Sequence, residues 1–397
     1  MAVIVYCVIL SLLTALGIWE YARHRRALSR IPIRIHVNGT RGKSSVTRLI
    51  AAGLRAAGVR TCAKTTGTLP RLILPDGSEV PVFRPTGANV IEQVRIVAAV
   101  SEMEAQALVV ECMAIQPVLQ WLCEARLIKA TLAVITNARA DHLEVMGPTE
   151  LDVALALAGV IPRSGKLITA EQRHLEVLKS VALDRNATCE AVTAQDVARI
   201  SDAELAGFAF VEHRENVALA LRVCQELGVR RDTALAGMQQ CQPDPGAMTS
   251  HELNYFGRHI HFVNGFAAND PESSGRIWTM AQAMHPTVER RILVFNCRSD
   301  RADRSLQLGE ACPSWPAADH YVVMGTGTWI LARAARRQGL DVMKMVIAEH
   351  RPATEVFETL IELAGPRTLI MGLGNIADQG MELTRLFRNR AMIPGVA

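Results

Sequence analysis

No Cys-x-x-Cys pair occurs in the 397-residue chain, and its nine cysteines are an odd number. That pattern supplies neither a disulfide framework nor a zinc-finger signature, and the thiols read as buried apolar groups in a reducing compartment. Charge of one sign is also lacking. The formal net charge is +4, of which Glu20 and the four arginines of residues 20–30 hold +3, so that about +1 remains for the body. So neutral a body has no electrostatic footprint for nucleic acid. Internal repeats and low-complexity tracts are absent, which excludes solenoids and disordered arrays. A hydrophobic share of 49% with 21% charged residues describes a globular chain, and its length favours two domains.

One long apolar run is present. Ala2 to Trp19, 18 residues without a charged side chain, is just long enough to span a bilayer. Trp19 and Tyr21 stand where interfacial aromatics belong, and Arg23, Arg25, Arg26 and Arg30 follow. A secretory signal peptide would carry basic side chains ahead of the run, and none stands there. The expectation is a single-pass anchor in the cell membrane over residues 1–22, with the arginines and all that follows in the cytoplasm. A buried helix of the soluble body is the competing reading, but the segment is apolar on every side.

Past this run, Ile33, Ile35 and Val37 alternate with Arg34 and His36, the period of a half-buried strand. Asn38-Gly-Thr-Arg-Gly-Lys-Ser-Ser45 follows and opens a helix marked by Val46, Leu49, Ile50 and Leu54. Gly39 and Gly42 let backbone N–H groups converge, Lys43 adds a positive charge, and Ser44 offers a hydroxyl to a magnesium ion. The standard phosphate-loop pattern has a further glycine where Val37 stands, so the spacing here is the compact Gly-x-x-Gly-Lys-Ser. The loop is read as a binding site for the phosphates of ATP or GTP.

Strands and helices then alternate. Ala107–Val110, Thr131–Thr136 and Lys166–Thr169 read as buried parallel strands, with helices over Gly87–Val100, Pro117–Ala125 and Thr149–Val160. Gln242-Pro-Asp-Pro-Gly246 is the best linker. Beyond it His259–Val263, Arg291–Phe295, His320–Met324 and Thr368–Met371 suggest a second, smaller α/β domain. The expected division is residues 31–242 for an ATP-binding domain and 247–397 for the second.

Ligands of open α/β sheets sit at the carboxyl ends of strands. Glu111 follows the strand Ala107–Val110, and Asn137, Asp141 and His142 follow the strand ending at Thr136. Thr65, Thr66 and Thr68 surround Gly67 after another candidate strand. Hydroxyls and carboxylates around a phosphate suit magnesium, with His142 the least typical member. Taken singly, Glu111 is equally a solvated loop acid, and Asp141 and His142 a local turn. Their joint arrival at strand ends favours a site.

These motifs resemble the central domain of the Mur ligase superfamily: Gly39-Thr-Arg-Gly-Lys-Ser44, Glu111 after its apolar strand, and Asn137-Ala-Arg-Ala-Asp-His142. His213-Arg-Glu-Asn216 resembles the family's nucleotide segment, and Asn264-Gly-Phe-Ala-Ala-Asn-Asp-Pro271 the start of its C-terminal domain. With the anchor and the length, the chain is similar to the membrane-anchored ligases that build poly-γ-glutamate capsule. The resemblance implies a P-loop-containing Mur-ligase central domain, then a smaller Rossmann-like α/β domain, with the N-terminal membrane helix ahead of both. It implies an ATP-dependent carboxylate–amine ligase, with ATP and Mg2+ as cofactors and glutamate and poly-γ-glutamate as substrates.

By the same resemblance Gly39, Thr40, Arg41, Gly42, Lys43, Ser44 and Ser45 would wrap the nucleotide phosphates. Lys43, Glu111 and His142 would form the catalytic set. Ser44 and Glu111 would hold a first metal, and Thr66 and His142 a second. Asn216 would touch the adenine, and Asn264 and the segment to Asp270 would close over the nucleotide. Other membrane subunits are expected as partners for an exported polymer, while the oligomeric state is not legible.

Departures from the pattern are informative. The stretch Leu151–Val160 has no lysine where the peptidoglycan ligases carry a carbamylated one, so Glu150 or Asp152 is expected to substitute, or the second metal to be held more loosely. Asn264 stands where an aspartate is expected for the ribose. About thirty residues precede the loop, too few for the domain that reads a UDP-sugar. A polymer with one α-carboxylate per residue calls for arginines. Arg71, Arg84, Arg126, Arg139, Arg298, Arg301 and Arg304 are candidates, and Arg84 is chosen for its place before a Pro-Thr-Gly turn. A membrane-tethered kinase or triphosphatase and a nucleotide-gated regulatory module are the alternatives.

Overall fold

The computed structural model describes residues 2–67, 69–84, 87–244, 248–268 and 270–391. Thr68 and Asn269, both in motifs singled out above, lie outside the described residues. The chain divides into two compact units, Met1–Asp244 and Pro245–Ala397.

The first unit holds an eight-stranded sheet of β1 (Ile33–Asn38), β2 (Thr61–Thr65), β3 (Arg71–Ile73), β4 (Glu79–Pro81), β5 (Ala107–Glu111), β6 (Leu132–Ile135), β7 (Lys166–Thr169) and β8 (Thr188–Ala191). Its order is β4-β3-β2-β5-β1-β6-β7-β8. Only β3 runs against the rest, pairing antiparallel with both β2 and the edge strand β4. The central strands are fully buried apolar runs because helices cover both faces. The decisive feature is that β1 lies between β5 and β6, with Val37 opposite Glu111 and Asn38 opposite Ile135. Three carboxyl-terminal ends therefore meet at one edge, as the strand-end rule requires.

The first helix runs from Ala2 to Ser29, longer than the expected anchor. One stretch, Val3–Ser29, is long and apolar enough to cross a membrane, and its window of hydropathy 2.1 is not buried. Its last turn belongs to the body: Ala27 and Leu28 join Ile31, Ile96, Val97 and Val100 in one cluster.

Three helices differ from the periodic reading. The helix expected from Gly87 starts at Glu92, because Asn89 Oδ1 accepts from Ile91 N and holds a turn ahead of it. The helix from Pro117 stops being α at Leu122 and widens into a π-helix over Cys123–Ile128. There Glu124 is buried and accepts from Ala130 N at 2.8 Å. Thr149 caps its helix rather than joining it, in a reciprocal box with Asp152.

The second unit is a six-stranded sheet of β9 (Thr249–Tyr255), β10 (Arg258–Asn264), β11 (Arg290–Cys297), β12 (His320–Gly325), β13 (Met345–Glu349) and β14 (Arg367–Gly374), ordered β13-β12-β11-β14-β10-β9. Only the edge strand β9 is antiparallel. Apolar clusters cover both faces, one around Phe262, Phe357 and Phe387 and the other around Trp278, Phe295 and Leu331.

Candidate active site

The loop between β1 and the helix Lys43–Ala56 is shaped by its two glycines. Gly39 has φ +137°, and a Cβ there would lie 1.9 Å from Thr136 Oγ1. Gly42 has φ +80°, and a Cβ there would lie 2.7 Å from Asn216 Oδ1. Both positions thus need glycine for backbone and for space. Asn137, just past β6, clasps the loop from outside. Its Oδ1 accepts from Thr40 Oγ1 at 2.6 Å and Arg41 N at 3.1 Å, and its Nδ2 donates to Arg41 O at 3.1 Å. Arg41 pairs with Asp141 at 3.3 Å. The Asn137–His142 segment and the loop therefore form one unit, which their separation of about a hundred residues conceals.

Lys43 folds back over the loop and donates to Gly39 O at 2.6 Å and Thr40 O at 3.3 Å. Ser44 Oγ donates to Glu111 Oε2 at 2.9 Å, and Thr66 N donates to the same oxygen at 2.7 Å. Glu111 is buried. A hydroxyl and a carboxylate at the first turn of the loop helix form a hard oxygen pair, a set that fits magnesium or another hard divalent cation. Thr66 reaches this junction through its backbone N–H. His142 adopts φ +49° and turns Nδ1 to Glu144 Oε1 at 3.3 Å, so its side-chain partner among the described residues is local.

Asn216 lies against the loop at Gly42. Its Nδ2 donates to Glu212 Oε1 at 2.8 Å, and His213 N donates to the same atom at 2.8 Å. Ser45 also hydrogen-bonds the Glu212 carboxyl, and burial pushes that carboxyl above the ordinary range. Glu212 thus joins the loop to the helix Arg214–Glu226. Sequence reading missed it, and the one available signal was an acid directly before the His213–Asn216 motif. Glu171, after β7, was missed as well: it accepts from Ala138 N at 2.7 Å and His174 N at 2.9 Å, fixing the segment that clasps the loop.

The two acids considered in place of the carbamylated lysine are engaged otherwise. Asp152 completes the helix cap with Thr149. Glu150 pairs with Arg173 at 2.7 Å and accepts from Ala140 N at 3.4 Å. Arg84, chosen for substrate carboxylates, forks onto Glu92, with Nε and Nη2 each 2.7 Å from a carboxylate oxygen. The same Glu92 receives the fully buried Lys64 at 2.5 Å. Burial lowers the pKa of Lys64, and the Glu92 carboxylate opposes that effect.

In the second unit, Asn264 ends β10 and is buried, accepting from Phe266 N at 3.4 Å. Asp270 caps the helix Pro271–Met284. Arg298 forks onto Asp300, and Arg304 meets Asn375.

Comparison with known proteins gives two family matches. Residues 37–180 match the Mur ligase middle domain. Residues 250–390 match the poly-gamma-glutamate synthase CapB C-terminal domain. The capsule biosynthesis protein CapB of Bacillus anthracis is 37% identical over 362 residues, 91% of this chain and 77% of that protein. The PGA synthase CapB of Bacillus subtilis is 36% identical over 368 residues, 92% of this chain and 93% of that protein. Among solved structures, the bifunctional folylpolyglutamate synthase/dihydrofolate synthase of Yersinia pestis, complexed with AMPPNP and a manganese ion, superposes with a TM-score of 0.67. It shares 16% identity and covers 92% of each chain, a likeness of fold.

Proposed function

The chain belongs to the Mur ligase superfamily, in the poly-γ-glutamate synthase CapB family, and from that premise we propose how its residues perform the ligation. The enzyme is an ATP-dependent amide ligase that makes poly-γ-glutamate. A glutamyl carboxylate attacks the γ-phosphorus of ATP, the bond to the leaving ADP oxygen breaks, and an acyl phosphate forms. A glutamyl amine then attacks the acyl carbon. The carbon–oxygen bond to phosphate breaks, and the products are the amide, phosphate and the proton lost by the amine. Such chemistry needs positioning and charge neutralisation more than covalent help from the protein.

The single observation that carries the residue assignment is the junction of Ser44 Oγ, Thr66 N and Glu111 Oε2 at the mouth of the loop. The backbone from Gly39 to Ser45 would cradle the phosphates. Lys43 would exchange the carbonyls of Gly39 and Thr40 for the β- and γ-phosphates. Ser44 and Glu111 would hold a divalent cation, magnesium by their all-oxygen chemistry, with Thr66 and His142 flanking it toward the substrate carboxylate. When bound, that cation neutralises charge developing on the transferred phosphoryl group. Asn216 and Glu212 would keep Gly42 in its left-handed turn.

The helix Val3–Ser29 supports placement on a membrane as a single-pass anchor, with both units on the cytoplasmic side and glutamate supplied from there. Partner subunits in the membrane follow from an exported product. The kinase and regulatory readings lack an equivalent argument, because neither accounts for the kinship with poly-γ-glutamate synthases.

The test is phosphate release and product mass from ATP, magnesium and glutamate, using full-length protein in membranes beside Lys43→Ala. The expected outcome is release that requires Lys43, coupled to a ladder spaced by one glutamyl unit. Release with a phosphorylated small molecule as product would overturn the ligase assignment.

A further inference from the structure

Three of the chain's eleven histidines gather at the edge of the second unit, on no strand end that binds nucleotide. His259 and His261 are two apart on β10, so both imidazoles leave the same face of the sheet. The antiparallel register sets Glu252 of β9 directly opposite His261, hence on that face too. His285, just past the helix Pro271–Met284, covers them: its ring centroid is 4.1 Å from that of His261, with 27° between planes. The rings of His259 and His261 are 4.7 Å apart. Residues on the other face of β10, Ile260 and Phe262, enter a core cluster, so the histidines are not needed to fill that core.

We propose that Glu252, His259 and His261 form a binding site for a zinc-class divalent cation, walled on its inner side by His285. One ligand atom from each of the three lies within 4.8 Å of the others. Two donors on a tetrahedral zinc, each about 2.0–2.1 Å from it, stand about 3.3 Å apart. His259 Nε2 and Glu252 Oε1 form an ion pair in this structure, so a cation would have to part these two partly exposed side chains while drawing in the His261 donor, shifts of about an ångström.

The chemistry of the donors points the same way. Two imidazoles and one carboxylate favour zinc over magnesium or calcium, in contrast to the oxygen pair at Ser44 and Glu111. Three protein donors leave a fourth position for water or for His285. The His285 Nε2 is buried with no hydrogen-bond partner among the described residues.

The placement assigns the role. The cluster spans the first half of β10, and Asn264 at its end is three residues past His261, about 10 Å at strand rise. A cation there lies away from the carboxyl end of its strand and would act as a clamp. It would tie the edge hairpin β9–β10 to the end of the helix Pro271–Met284. Edge strands otherwise offer unpaired backbone groups to other chains.

The experiment uses untagged full-length protein in detergent, stripped with chelator and reloaded with Zn2+ or Co2+. The expected result is one ion per chain retained through gel filtration, and cobalt ligand-field bands of tetrahedral intensity. His259→Gln and His261→Gln should each weaken retention at least a hundredfold, while Glu111→Gln leaves it unchanged. Zinc should raise the thermal midpoint of the parent chain and not that of His261→Gln, whose midpoint in chelator should match the parent's and so report an intact fold. Absence of stoichiometric retention, or retention indifferent to both histidine substitutions, would overturn the proposal.

Discussion

Thr136 occupies the space that any side chain at position 39 would need: a Cβ on Gly39 would lie 1.9 Å from the Thr136 Oγ1. That hydroxyl is held in place by donating to Arg41 O at 2.6 Å. Gly39→Ala should therefore distort the loop and weaken ATP binding at least tenfold, the scale set by a backbone strain of about 1–3 kcal/mol. Isothermal titration with ATP checks this. Adding Thr136→Ala removes the collision but not the φ of +137°, so only part of the affinity should return. Full recovery would show that space alone selects glycine there.

Among the described residues, Glu111 is the one carboxylate that meets both Ser44 and Thr66. Glu111→Gln keeps the shape and removes the charge. Turnover is expected to fall by about a hundredfold, the usual size for one electrostatic contact to a transition state. The magnesium concentration for half-maximal rate should rise. An unchanged magnesium dependence would separate Glu111 from the cation.

Glu212 binds Asn216 and the backbone of His213 from a buried position. Glu212→Gln preserves most of this geometry and should be mild, since burial already favours the uncharged acid. Glu212→Ala should cost about 1–3 kcal/mol, because it strands the Asn216 amide and Ser45 hydroxyl away from water. Denaturant unfolding gives the stability, and ATP titration should show weaker binding in the alanine variant alone.

Sequence periodicity made the central strands legible because they are buried on both faces: Ala107–Glu111 and Lys166–Thr169 are apolar for a plain reason. Strands β3, β4 and β8 went unread because they are short and lie at the sheet edges, where polar residues interrupt the pattern. The loop and Glu111 were legible from the glycines and from strand-end logic. The Asn137 clasp and the Glu212 bridge were not, since both depend on which segments distant in sequence become neighbours. Arg84 shows the opposite limit: its partner Glu92 is only eight residues away, yet a later helix start than expected decides that they face each other.

His36 lies on β1, fully buried, with Nδ1 2.9 Å from Glu124 Oε2. Burial opposes its charge, but the neighbouring Cys112 thiol and the Glu124 carboxylate outweigh that and raise its pKa from 6.5 to about 9. The folded chain thus holds this proton more tightly than the unfolded chain. The resulting stability is fully present below pH 6.5 and is lost as pH rises through about 9. Urea midpoints of the full-length protein in detergent should fall across that window, by an amount on the order of 2–3 kcal/mol. His36→Gln should lower stability at every pH and flatten the slope. A slope unaltered by the substitution would assign it to other groups.

Arg84 presents Nε and Nη2 to Glu92, and its Nη1 edge has no hydrogen bond among the described residues. A carboxylate could approach that edge without breaking the fork, and if Arg84 receives substrate, Glu92 would aim its guanidinium. Arg84→Ala should raise the KM for a glutamyl polymer by about tenfold, the size of one charge-assisted hydrogen bond. The KM for ATP should stay fixed. Lys64 would still neutralise Glu92 in that variant, which keeps the fold intact and the comparison clean. Arg84→Lys restores the charge without the planar fork and should recover little. If both KM values hold while the unfolding midpoint drops, Arg84 serves the Lys64–Glu92 pair alone, and the polymer's carboxylates are received elsewhere.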